Sequence, residues 1–189
     1  LILISFFFIS LNLLARQIEE TTFSYWDKPD SQIYYSTPDS IDANTKIIFI
    51  MHGASRSAEK YLNDWLPLAK NRNVVLIAPE FSKESYPEYV YLMMGTERGK
   101  LLKDQSLYLT DSLGLMFDYF KAKLKLSTST FRLYGHSGGS QFVHRYLLLS
   151  DESRIEKAAM ANAGFYTFAD DQTSYPFGIK NMNGSNERL

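Results

Sequence analysis

The chain predicts an α/β fold, a mostly parallel sheet with helices on both faces, and two observations carry that prediction. Short apolar runs at residues 46–51, 74–78 and 131–134 alternate with longer segments of helical spacing at 58–70, 111–126 and 140–149. Between the last of those runs and the last of those helices stands Gly135-His136-Ser137-Gly138-Gly139, which fits G-x-S-x-G at a strand-to-helix turn.

Taken in order, residues 22–26 and 32–36 read as two strands joined by the turn-forming Asp27-Lys28-Pro29-Asp30. A polar stretch, 38–45, leads into 46–51, whose unbroken apolar character suits a strand buried on both faces. Ser57 is the expected cap of a helix over 58–70, where Tyr61, Leu62, Trp65 and Leu68 fall near helical spacing. Residues 74–78 form the next buried strand, closed by Pro79, and the aromatic stretch 80–103 has no clear period. Helical spacing returns through Leu113, Leu115, Met116, Phe120 and Leu124. The elbow strand, the elbow helix and a last strand near 158–161 complete the pattern, with no internal repeat. Strands separated by helices pair in parallel because the crossover returns each strand to the same end of the sheet.

A length of 189 residues suits one domain. The 20 basic and 21 acidic residues nearly cancel without a long like-charge run, which argues against nucleic acid as a partner. With no cysteine, disulfides, thiol catalysis and zinc–cysteine sites are excluded. Residues 1–14 are almost wholly apolar, shorter than the ~20 residues of a spanning helix and matching the apolar part of an export signal. Residues 1–20 are therefore read as a signal peptide or the remnant of an N-terminal anchor, and 21–189 as the folded domain. The expected location is secreted or periplasmic, with membrane contact only if the apolar segment stays uncleaved. The chain opens on leucine with no basic segment ahead of the apolar run, so its true start is expected upstream.

The elbow pushes the Ser137 hydroxyl out at the top of the sheet, and Gly135 and Gly139 are small because the helix folds back past the strand there. Acyl transfer through a serine needs two backbone donors aimed at the developing oxyanion. Gly138 supplies one amide; the turn His52-Gly53-Ala54, directly after the 46–51 strand, supplies the amide of Ala54. A general base is harder to find among three histidines. His52 is expected to brace its own turn, and His136 to point into the sheet. His144 lies seven residues past Ser137, roughly 10 Å along a helix. The base and its acid are expected beyond Leu189, in the order Ser…Asp/Glu…His. Asp170 and Asp171 follow the last strand in a loop-like stretch and read as a solvated turn, with the catalytic acid as the alternative reading.

The residues Met51-His52-Gly53, Ala78-Pro79-Glu80-Phe81, Gly135 to Phe142 and Asn162 to Tyr166 resemble the α/β-hydrolase superfamily. More narrowly, they are similar to secreted esterase-like members grouped with poly(3-hydroxybutyrate) depolymerases and feruloyl esterases. The resemblance implies an eight-stranded sheet, of which this chain holds about the first six strands. It also implies Ser137 as nucleophile and the amides of Ala54 and Gly138 as oxyanion donors, while the family's acid and histidine have no match here. The expected activity is that of a serine hydrolase on a small or polymeric carboxylic ester, with no metal and no organic cofactor. A serine peptidase of the same fold and a binding protein that lost its base both stay open. Tyr86, Tyr89, Tyr91, Phe165, Tyr166, Tyr175 and Phe177 fall in loops expected above the sheet, where ligands bind. They read either as ordinary loop packing or as an aromatic rim, with Tyr166 the pocket candidate.

Overall fold

Six strands pair in the order β1-β2-β4-β3-β5-β6 in the computed structural model, which describes residues 16–180 and residue 182. The strands are β1 (Glu19–Phe23), β2 (Ser31–Ser36), β3 (Lys46–Met51), β4 (Val74–Glu80), β5 (Phe131–His136) and β6 (Ile155–Ala161). The helices are α1 (Ala58–Ala69), α2 (Ser112–Lys123) and α3 (Gly138–Leu149). β1–β2 and β2–β4 are antiparallel; β4–β3, β3–β5 and β5–β6 are parallel, so the mostly parallel sheet stands as expected.

The apolar runs are continuous because alternate residues face two different cores. Ile47, Phe49, Met51, Val75 and Ile77 join the larger core with Met116, Phe117 and Phe120 of α2 and Phe142 and Tyr146 of α3. Ile50, Leu76 and Ala78 face the other way onto Ala58, Leu62 and Ala69 of α1. Helices thus cover both faces.

Several boundaries differ from the sequence reading. β1 lies three residues earlier than 22–26, because its ladder runs from Glu19↔Tyr35 to Phe23↔Ser31 and leaves Tyr25 exposed in the turn. The folded part therefore begins before residue 21. Arg16 already donates to the carbonyls of Thr37, Ser36, Ala69 and Val74, tying the ends of β2, α1 and β4 together. The apolar stretch 1–14 lies outside the described residues; among those described, no helix is long and apolar enough to cross a membrane.

β4 runs through Pro79 to Glu80. The β3 ladder stops at Phe49↔Ile77 while the β2 ladder reaches Gln32↔Glu80, so Pro79 sits where β4 has one neighbour and its missing N–H breaks no second ladder. Ser57 precedes α1 but makes no side-chain cap hydrogen bond. The aperiodic 80–103 stretch is a buried connection. Phe81, Tyr89, Phe142 and Tyr146 form a stacked series with ring centroids 5.2, 4.9 and 5.7 Å apart. β6 is an edge strand with Lys157, Ala159 and Met160 exposed.

Candidate active site

At the turn between β5 and α3 the backbone departs from ordinary geometry. Ser137 caps α3 with φ 56° and ψ −119°, a region that a residue with a side chain holds only when its surroundings force it. The backbone on either side of Ser137 is closely packed. A Cβ on Gly135 would run into the Gly139 carbonyl and stand 2.7 Å from the Ser140 nitrogen; one on Gly139 would run into Met51 and stand 2.8 Å from the His52 oxygen. The Ser137 N–H donates to the Ala161 carbonyl at 2.9 Å, which fastens the elbow to the end of β6. Ser137 remains half-buried, at the carboxyl ends of β5 and β3.

The second loop approaches from β3. The position of a Cβ on Gly138 is 3.1 Å from the Ala54 nitrogen and 3.0 Å from Val90 Cγ1, and the position of one on Gly53 is 3.6 Å from Ser137 Cβ. The structure therefore brings Ala54, Gly53, Ser137 and Gly138 together, with Ala54 exposed. The start of α3 adds its partial positive charge to the same spot.

The three histidines are all engaged elsewhere. His52 is fully buried, its Nδ1 bonded to the Gly53 carbonyl at 3.0 Å and its Nε2 accepting the Phe81 N–H at 3.0 Å. Burial pushes its imidazole down to about 4, so it stays neutral as a brace beneath the 52–54 turn. His144 bonds the Ser140 carbonyl at 3.2 Å and accepts the Thr167 N–H at 2.8 Å; burial, then the adjacent Arg145 charge, pushes it down to about 4.

His136 does not point into the sheet. Its nitrogens meet the Tyr61 hydroxyl at 3.1 Å and the Asn162 amide at 3.2 Å, at the half-exposed upper edge, because α1 presents Tyr61 where the strand ends. Asp170 accepts the Gln172 N–H at 2.8 Å and bonds Thr173, and those hydrogen bonds hold its carboxyl below the usual range, as in a turn.

The loop aromatics divide. Tyr86, Tyr89, Tyr91 and Tyr175 are buried core residues, so the rim reading fails for them. Tyr166 is 43% exposed and tilts over His144, ring centroids 5.0 Å apart, two turns along α3 from Ser137. Residues missed in the sequence are Arg56, Val90 and Arg145. Arg145 is fully buried, and its i+3 spacing from Phe142 and i+7 spacing from Gly138 did place it on the apolar face of α3.

No protein-family model and no curated protein matches the chain by sequence. Solved structures do match. Poly(aspartic acid) hydrolase-1 from Sphingomonas sp. KT-1 is 33% identical with a TM-score of 0.80, over 88% of this chain and 64% of that one. A poly(3-hydroxybutyrate) depolymerase from Bordetella parapertussis is 22% identical with a TM-score of 0.74, over 86% and 58%. A fluorophosphonate-binding serine hydrolase from Staphylococcus aureus is 17% identical with a TM-score of 0.61, over 83% and 60%. The chain thus spans less than two thirds of the length of each. With these proteins the chain shares its fold, the α/β-hydrolase fold.

Proposed function

We propose that the protein is a serine hydrolase of carboxylic esters, with Ser137 as nucleophile and the amides of Ala54 and Gly138 as oxyanion donors. The observation that carries this reading is the forced backbone of Ser137 beside the junction of Ala54 with Gly138. Ser137 Oγ bonds to the ester carbonyl carbon as its proton passes to a histidine, and the carbonyl oxygen takes the negative charge. The C–O bond then breaks, the alcohol leaves with that proton, and water releases the acyl group by the same route. All ring nitrogens of the three histidines here are otherwise engaged, so the base and its acid are assigned to sequence beyond Leu189. The apolar 1–14 segment, read as an export signal, supports a location outside the cytoplasm.

A second reading, hydrolysis of an amide, is favoured by the 33% identical neighbour named for poly(aspartic acid), a polyamide. The test is covalent labelling of the full-length protein by a fluorophosphonate, followed by turnover of a nitrophenyl ester and the matching nitroanilide. Labelling that disappears in Ser137→Ala, with the ester turned over faster, is the expected result. Faster turnover of the anilide moves the assignment to amide hydrolysis. An unlabelled wild type turns it to a binding protein.

A further inference from the structure

Two arginines, Arg145 buried and Arg56 half-buried, grip one short segment, and that segment lies against the proposed oxyanion site. Arg56 belongs to the loop that carries Ala54; its N–H closes a turn on the Gly53 carbonyl at 3.1 Å. Its guanidinium donates to the Phe81 carbonyl at 2.8 Å and the Pro87 carbonyl at 3.1 Å, and lies 4.7 Å from the centre of the Tyr89 ring. Arg145, on α3, donates to the Val90 carbonyl at 2.6 Å, the Gln141 carbonyl at 3.2 Å and Thr167 Oγ1 at 2.9 Å. It lies 4.9 Å from the Tyr91 ring and 5.0 Å from that of Phe165.

Neither charge is paired with a carboxylate among the described residues, and Arg56 Nε and Arg145 Nη2 have no partner there. Burying an unpaired charge is costly, and at Arg145 an apolar side chain would fill the space at lower cost. What a guanidinium does that leucine cannot is hold carbonyls of separate segments in one planar fork while stacking on a ring face. Between the two gripped tyrosines stands Val90, half-buried, its Cγ1 beside Gly138. Tyr89 completes the link by donating its hydroxyl to the His52 carbonyl at 3.0 Å.

We propose that Arg56 and Arg145 are positioning residues that clamp residues 87–91 between the oxyanion loop and the elbow helix, and so set the separation of the Ala54 and Gly138 amides. The catalytic half of this inference rests on the hydrolase reading above; the mechanical half does not. Arg56→Lys and Arg145→Lys keep the charge but lose the fork, and both are compared with wild type in the full-length protein by hydrogen exchange and by the rate of fluorophosphonate labelling.

Arg145 is bonded to nothing in residues 53–57, yet Arg145→Lys is expected to speed exchange of peptides covering them several-fold. Labelling of Ser137 should slow on the order of tenfold in each single variant, and the double variant should be no slower than the worse single, as for residues acting as a unit. Exchange that rises only in 87–91 and 165–167 overturns the proposal, as does wild-type labelling in both variants. A wild type that never labels sinks the hydrolase reading, and the exchange result alone then decides the clamp. If Arg145→Lys does not fold, Thr167→Val, which removes the acceptor of Arg145 Nε, takes its place with the same readouts.

Discussion

Gly135, Gly138 and Gly139 surround Ser137, and an added methyl group would meet something different at each. At Gly135 and Gly139 it meets backbone of a neighbouring segment, which has nowhere to move; at Gly138 it meets the end of the Val90 side chain and the Ala54 nitrogen. Gly135→Ala should therefore unfold the elbow, with a loss of about 3 kcal/mol in urea denaturation. Gly138→Ala should fold and melt close to wild type, while its labelling by fluorophosphonate drops on the order of a hundredfold, because the methyl intrudes where the oxyanion would sit. Equal damage to stability in both variants would detach Gly138 from the chemistry. The need for small flanks was legible in the five-residue motif. The neighbours of Gly138 were not, since Val90 and Ala54 come from other parts of the chain.

At the scale of elements, α3 does two jobs at its two ends. Its first turn presents the Gly138 amide beside Ser137, and its buried face continues through Phe142 and Tyr146 into the aromatic series that carries the 80–103 connection. Phe142 lies between Tyr89 at 4.9 Å and Tyr146 at 5.7 Å and also stacks on Phe81 at 5.7 Å. Truncating it should cost roughly 3–5 kcal/mol by urea denaturation, whereas Leu147→Ala, at a side chain 40% exposed, should stay within about 0.5 kcal/mol. Comparable losses at both sites would show that the aromatic series carries little of the stability. Helical spacing in the sequence identified α3 correctly. It did not identify what the helix packs on, because the 80–103 partner has no period of its own and acquires order only from the stack.

For the whole molecule, acid is the condition that should reveal the buried histidines. His52 falls from the ordinary 6.5 to about 4 because burial disfavours its charged form, and His144 falls likewise. A depressed histidine is neutral when folded and takes up a proton when unfolded, so the stability of the fold is intact above the unfolded value of 6.5. It is lost progressively as the pH drops from about 6.5 to 4, by on the order of 3 kcal/mol for the fully buried His52 alone. Melting temperature measured from pH 7 to pH 4 should drop through that window, and His52→Gln, less stable at pH 7, should show a smaller drop. An identical slope in the variant would remove His52 as a cause.

The sequence by itself determined the alternation of strands and helices, the two-faced burial of β3 and β4, and the elbow motif on its strand and helix. Each of these depends on periodicity or on residue size within a dozen positions, which is information that neighbours in the chain carry. Only the tertiary structure decided that Tyr86, Tyr89, Tyr91 and Tyr175 are core, that His136 turns to Tyr61 and Asn162, and that Arg56 and Arg145 share one segment. Those contacts join residues as far as 84 positions apart, and a charged side chain with no carboxylate partner announces its place only once carbonyls from elsewhere in the chain have gathered round it.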